Sequence, residues 1–273
     1  LRVYHLIYLH GFSVRGRASL DLVVGVGEIG SGLSQLFKEC GREVCGYDVN
    51  PERCFGSPEN IDLMHICTPF MPNFVGEVEE YFHKWKPRGV VVHSTIRPGT
   101  TRLLHNNLPE GNVVYSPIRG LHTRMLFDLK RYTKFYSSYE GVDESLFREC
   151  FESGCCLNIE RLSTPFALEA AKIVVDSSYY GWIIVYGQLV DKLCARCDLE
   201  YDEVWKFAEE IHKFLGNRPK VYVDPKGIGG HCILPNLDLI EDFLPELKDI
   251  ITRINEETKK RYNKQEIALH LND

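Results

Sequence analysis

Gly25, Gly27 and Gly30 stand between two apolar segments of different periodicity. Before them, Leu20 to Val26 is a continuous apolar run, as expected of a strand buried on both faces. After them, Ile29, Leu33, Leu36 and Phe37 recur at helical spacing, and Gly41 is placed to end that helix. A glycine turn from a buried strand into a helix has a narrow use. Gly25 makes the tight turn, Gly27 lets the backbone approach a bound group, and Gly30 lets helix and strand pack closely. The helix start at Glu28 and Ile29 then offers free N–H groups to a pyrophosphate. Asp48 closes a second strand, Glu43 to Tyr47, about twenty residues further on. A carboxylate there accepts hydrogen bonds from an adenosine ribose and repels a 2′-phosphate. The expected cofactor is therefore NAD, against the plainer reading of a glycine turn with a solvated aspartate.

The pattern continues as alternating strands and helices. Ile61 to Thr68, Gly89 to Ser94 and Val113 to Ser116 are expected strands; Val75 to Trp85 and Thr100 to Asn107 are expected helices. This order predicts an α/β fold, a doubly wound parallel sheet of the Rossmann type over residues 20–150. Beyond Cys156 the pattern turns helical, with a stretch from Phe166 to about Cys197, another over Tyr201 to Phe214 and a third over Leu237 to Lys260. A Gly- and Pro-rich loop, Gly216 to Pro235, separates the last two. A mostly helical second domain is expected over residues 160–265. Residues 1–19 are left unassigned: the chain opens on Leu1 rather than Met, and the segment is a poor signal peptide, as at a fragment boundary or a misplaced start.

Composition excludes several classes. The net charge of −6 gives no basic excess to draw nucleic acid or an anionic membrane. No apolar run approaches the roughly 20 residues that span a bilayer. Ten cysteines scattered through apolar and helical patterns imply packed thiols in a reducing cytoplasm. Cys194 and Cys197 form a C-x-x-C without a second pair at zinc spacing, so no metal site is expected. Tyr179, Tyr180, Trp182 and Trp205 are expected in helix packing.

Gly227-Ile228-Gly229-Gly230-His231-Cys232 is the most unusual segment. Glycines this dense are costly to order and are expected where backbone passes close to a ligand. Cys232 ends the loop, where N–H groups, His231 or Lys226 would lower its pKa and make it a nucleophile toward an aldehyde. The competing reading is an inert loop cysteine.

This loop resembles the catalytic-cysteine loop of the UDP-glucose/GDP-mannose dehydrogenase family, above all the branch acting on UDP-N-acetylmannosamine. Further blocks in the same order carry the likeness from about residue 20 to 262. They are Val24 to Gly30, Tyr47 to Asn50, Ile66-Cys67-Thr68-Pro69, Ser94 to Thr101, Glu169-Ala170-Ala171-Lys172 and Ile254-Asn255-Glu256. The resemblance implies oxidation of a nucleotide sugar's primary alcohol to a carboxylate with two NAD. Cys232 would be the nucleophile, Lys172 would stabilise the reacting oxygen, and Thr95 would position cofactor, substrate or water. Thr68 and Pro69 would line the cofactor site, and Arg119, His122, Gly229 and Gly230 the substrate. The family's helical domain forms a homodimer through its long helix, so a homodimer is expected here.

The departures are specific. The family's S-P-E is Ser116-Pro117-Ile118 here, a second family glutamate falls at His122, and Asp176 and Asn236 exchange the family's Asn and Asp. The exchange keeps one carboxylate and one amide if both side chains face one pocket. The chain also stops about where the family's C-terminal nucleotide-binding domain would begin. Two alternatives follow. One is a β-hydroxyacid-type NAD-dependent dehydrogenase using Lys172 alone, by likeness to the fold of 6-phosphogluconate dehydrogenase. The other is a catalytically impaired NAD-binding partner subunit.

Overall fold

The computed structural model describes residues 19–108, 110–216, 221–230 and 232–270. The unassigned segment of residues 1–18 lies outside them, as does His231. Strand β1 (Leu20–Val24) runs into α1 (Glu28–Glu39), followed by β2 (Glu43–Tyr47), β3 (Leu63–Ile66), α2 (Phe74–Trp85), β4 (Gly89–Val92), α3 (Thr100–Asn107) and β5 (Val113–Tyr115). The first five strands lie in the order β2-β1-β3-β4-β5 and are all parallel. Val23 pairs with Gly46 on one side and His65 on the other, so β1 sits inside the sheet. Successive residues of β1 serve opposite faces. Leu22 and Val24 pack with Met64, Val92 and Phe74, whereas Val23 packs with Leu33, Phe37 and Val91. That two-sided burial explains why the strand is apolar except at Asp21.

The sheet then continues beyond the five expected strands. After α4 (Met125–Arg131), strand β6 (Lys134–Ser138) pairs antiparallel with β5. Helix α5 (Ser145–Arg148) continues through a π turn at Glu149–Gly154 and leads to β7 (Ile159–Arg161), parallel to β6. Neither strand has an apolar signature, because β6 buries Lys134 and edge strand β7 is largely exposed.

A row of polar side chains crosses the sheet on the α1 side. Arg42 grips the fully buried Asp21 with two hydrogen bonds of 2.6 and 3.2 Å. Asp21 faces His65 at 3.4 Å, and His65 meets His93 at 3.1 Å. The His93 Nδ1 lies 2.7 Å from the Ser116 carbonyl and so acts as the donor there. Lys134 donates to the same carbonyl at 3.1 Å. Burial would raise the Asp21 carboxyl, but hydrogen bonds and charge from His65 and Arg42 outweigh it and hold the pKa below the usual value. Asp21, His65 and Cys150 are the one group among the described residues that could offer three metal ligands. The Asp21 charge is already balanced there by Arg42.

The second half is helical. Helix α6 (Pro165–Ala171) passes through a π turn, Lys172–Ser177, into α7 (Ser178–Cys197). The uninterrupted helix expected from Phe166 to Cys197 therefore widens in the middle. The Ser177 and Ser178 hydroxyls donate back to the carbonyls of Lys172 and Ile173, five residues earlier. Helices α8 (Tyr201–Leu215), α9 (Ile233–Ile240) and α10 (Pro245–His270) follow. Two sequence expectations change here. The loop thought to reach Pro235 ends at Cys232, because Pro is tolerated in a helix's first turn, where its missing N–H has no partner to lose. The helix expected from Leu237 to Lys260 is broken before Pro245, which opens α10. Tyr179, Tyr180 and Trp182 are exposed rather than packed, whereas Trp205 is buried as expected.

Glu169 fastens this half to the sheet. Its fully buried carboxylate accepts from the backbone N–H of Gly99 and Thr101 at 2.6 and 2.8 Å and from the Thr101 hydroxyl at 2.6 Å. It thus caps the start of α3 from the other half of the chain.

Burial drives Lys134 from the usual lysine value near 10.5 down to about 7, and depresses His65 below 6.5. Between these lysine values the unfolded chain holds a proton that the folded chain does not, so stability rises with pH. Protonation of the histidines in the unfolded chain removes further stability as pH falls below about 6.5. Urea unfolding should therefore show a stability increase from about pH 7 to 9. Lys134→Met should flatten that rise and add a few kcal/mol at neutral pH.

Candidate functional site

The cofactor loop follows from close contacts that only glycine allows. Gly25 has φ +88° and its N–H donates to the Tyr47 carbonyl at 2.8 Å, joining the turn to the end of β2. A Cβ on Gly30 would stand 2.0 Å from the Gly25 carbonyl oxygen, whereas a Cβ on Gly27 would meet nothing within 4 Å. Gly30 is thus fixed by packing, and Gly27 leaves an open cradle at the start of α1. The Asp48 carboxylate accepts from the N–H of Val26 at 2.7 Å and of Asn50 at 2.9 Å. Each oxygen keeps a lone pair for a ribose hydroxyl. Glu28 and Ile29 open α1 above the cradle. An open helix start beside a braced carboxylate is the donor and acceptor set that a dinucleotide requires.

Thr68, Pro69 and Thr95 follow β3 and β4 at the same carboxyl edge of the sheet. The Ser94 hydroxyl donates to the Thr68 carbonyl at 2.6 Å and ties the two loops together, placing Thr95 beside them. Open α/β sheets bind ligands along this edge.

The glycine loop before α9 is held from below by Asn255. Its fully buried amide oxygen accepts from the N–H of Ile228 at 2.7 Å and from Gln188 at 3.2 Å. Gly227 has φ +75° and lies against that same amide, so any side chain there would collide. Gly229 and Gly230 have open space around them. Cys232 follows, exposed, with its Sγ 3.9 Å from the His122 Nε2. The His122 Nδ1 is ion-paired with Glu28 of the cofactor loop.

Lys172 and Asp176 form an ion pair across the π turn, and Asn236 donates to the Ser177 hydroxyl at 3.0 Å. The Asn236 amide thus meets Ser177, the residue that follows Asp176 in the turn. Charge on Lys172 reaches the Cys232 thiol. The pKa expectation for this thiol is corrected. Burial raises it, Glu28 and Asp176 add to the rise, and Lys172 only partly offsets them. The charges that act on the thiol are those of Lys172, Glu28 and Asp176; Lys226, expected to lower it, is not among them.

Arg119 lies elsewhere. Its guanidinium donates to the Thr133 carbonyl at 2.9 Å and covers the rings of Tyr132 and Phe135, beside a small crevice lined by Asp128 and Lys134. Ile118, at the position of the family glutamate, is buried in the sheet core. Of the C-x-x-C pair, Cys194 is buried and Cys197 is exposed; Cys155 is buried and Cys156 exposed. The roles of Glu169, Asn255 and the Glu28 side chain were not read from the sequence. The first two are polar residues inside apolar helical faces, which is the available signal; the third is visible only in space.

With this geometry in hand, the fold can be placed. The chain superimposes on a UDP-N-acetylmannosamine dehydrogenase from Pyrococcus horikoshii with a TM-score of 0.74 at 18% identity, covering 88% of this chain and 68% of that one. A UDP-glucose dehydrogenase from Pyrobaculum islandicum gives 0.71 at 20% identity, covering 90% and 70%. A 3-hydroxyisobutyrate dehydrogenase from Mycobacterium tuberculosis gives 0.62 at 16% identity, covering 91% and 94%. The chain has the fold these dehydrogenases share. By sequence, no family model and no curated protein matches it.

The two glycines can be told apart by substitution. Gly30→Ala should lower stability in urea by about 1–3 kcal/mol, since backbone must move. Gly27→Ala should leave it unchanged within about 0.5 kcal/mol, because its neighbourhood is open.

Proposed function

We propose that the protein is an NAD-dependent oxidoreductase acting on the CH–OH group of a nucleotide sugar, with Cys232 as nucleophile. The observation that carries this reading is the Cys232 sulfur 3.9 Å from His122, which is ion-paired with Glu28 of the glycine turn, with the Lys172–Asp176 pair near enough for its charges to act on the thiol. NAD, when bound, supplies the electron acceptor. Gly25, Gly27, Glu28, Ile29 and Gly30 would hold its pyrophosphate, Asp48 its ribose, and Thr68, Pro69 and Thr95 the side toward the sugar. Lys172 stabilises negative charge on the reacting oxygen, and Asp176 holds the ammonium in place. The Cys232 sulfur captures the aldehyde of the first oxidation as a thiohemiacetal; the second oxidation leaves a thioester, which water cleaves to the acid. Asn236, anchored on Ser177, braces the start of α9 next to that sulfur. His122, Gly229 and Gly230 are proposed to face the substrate; Arg119, turned onto the Thr133 carbonyl, is not.

A second reading rests on the protonated state favoured for the thiol and on the match along most of a 3-hydroxyisobutyrate dehydrogenase. In it Lys172 serves a single oxidation of a hydroxyacid and Cys232 is a bystander. The two readings separate on stoichiometry across a panel of nucleotide sugars and 3-hydroxyacids. The first expects two NADH per sugar and loss of at least about 10³-fold in rate for Cys232→Ala. One NADH per hydroxyacid, unchanged by that substitution, would select the second.

The proposed assembly is a homodimer through α7. Tyr179, Trp182, Tyr186, Leu189 and Leu193 recur at three- and four-residue spacing and are 42–56% exposed, an apolar stripe with the geometry of a helix–helix seam. All ten thiols are free, which supports a reducing, cytoplasmic setting. Light scattering should give a dimer mass for the wild type, and Tyr186→Glu should give a monomer with unchanged circular dichroism.

A further inference from the structure

Three side chains from three separate segments line up across the cleft. Glu28 opens α1 inside the cofactor loop, His122 lies in the short turn before α4, and Cys232 immediately precedes α9. The Glu28 carboxylate pairs with the His122 Nδ1, and the His122 Nε2 stands 3.9 Å from the Cys232 sulfur. A carboxylate at Nδ1 fixes the proton on that nitrogen and turns the Nε2 lone pair to the thiol. Nucleophile, base and orienting acid in this sequence of contacts form the arrangement that activates a thiol, recognised by geometry rather than by order in the chain. The separation of 3.9 Å is at the long end of a sulfur–nitrogen contact, as such pairs are before substrate closes the site.

We propose that His122 is the proton acceptor for Cys232 and that Glu28 is the positioning residue that orients it. This deepens the reading above and rests on Cys232 as the nucleophile. The need for a base follows from the surroundings of the sulfur. Glu28 faces it from α1, Asp176 and Lys172 from the π turn, and the two carboxylates with burial outweigh the one ammonium. The thiol is therefore protonated at rest, and its proton must leave as the bond to carbon forms.

The steps balance as follows. The Cys232 S–H proton passes to the His122 Nε2 while sulfur adds to the aldehyde carbon and the carbonyl π pair moves to oxygen. The adduct becomes the thioester by losing a hydride, for which NAD, the oxidant of the proposed activity, would be the acceptor, and His122 releases its proton to solvent. Neutral again, His122 takes a proton from water as the water oxygen attacks the thioester carbon. The tetrahedral adduct collapses, the C–S bond breaks to give the carboxylic acid, and the leaving sulfur takes the proton back from His122.

The test needs neither cofactor nor sugar. The full chain is treated with iodoacetamide across a pH series, and alkylation of Cys232 is followed by peptide mass spectrometry, which separates it from the exposed thiols Cys54, Cys156 and Cys197. The wild type should show a reactive fraction at neutral pH that titrates with a histidine-like midpoint. His122→Phe should lose that fraction, slowing alkylation at pH 7 by about tenfold or more, one unit of thiol pKa. His122→Gln, which keeps polarity and size, should match His122→Phe, and Glu28→Gln should shift the midpoint without abolishing it. Cys54 serves as internal reference in every variant, and the buried Cys150, which alkylates only if the fold opens, reports whether the fold is intact. A Cys232 profile unchanged in both His122 variants overturns the proposal. Sugar oxidation lost with the profile intact would overturn the assigned substrate and leave the pair standing.

Discussion

No side chain fits between Gly30 and the Gly25 carbonyl, and the rest of the site depends on that contact. It sets the first turn of α1 directly over the end of β1, so that Glu28 projects over the carboxyl edge of the sheet. From there the carboxylate reaches His122, and His122 reaches Cys232. A helix start displaced by even the width of a methyl group would move the first member of that series. The same contact leaves the cradle at Gly27 empty, with Asp48 braced by Val26 and Asn50 beside it.

The other side of the cleft is positioned by buried polar residues rather than by apolar packing alone. Glu169 caps α3 from α6, and three residues later the chain enters the π turn that carries Lys172 and Asp176. Asn255 of α10 holds the backbone of Ile228 just ahead of the open glycines. An unmade hydrogen bond at any of these buried atoms costs more than a made one contributes. These residues therefore specify one arrangement of helix against sheet, where hydrophobic contacts would tolerate several.

The thiol at Cys232 sits under competing fields. Burial and two carboxylates favour the protonated sulfur, and Lys172 opposes them. Lys172 is itself neutralised by Asp176. Nucleotide-sugar dehydrogenases and 3-hydroxyisobutyrate dehydrogenases share this fold, so the fold by itself carries more than one chemistry. What separates those chemistries here is the local electrostatics around one sulfur, which the backbone likeness does not determine.

The sequence by itself determined the elements whose signal is local. The parallel core β1 to β5, the helices between them and the turn at Gly25 follow from unbroken apolar runs, helical spacing and glycine placement. The glycine loop at Cys232 was equally legible, because such density of glycine has few structural uses. Strands β6 and β7 were not, since a buried Lys134 and a polar edge carry no apolar alternation. Nor was the π turn, which arises from serine hydroxyls competing for backbone carbonyls. The start of α9 was hidden by Pro235, and the exposed stripe of α7 reads like a core helix in one dimension. Tertiary structure alone decided the partnership of Glu28, His122 and Cys232 and the direction of the thiol's pKa. Both depend on distances between groups far apart in the chain, and electrostatic energy falls with distance in space, not with separation along the sequence.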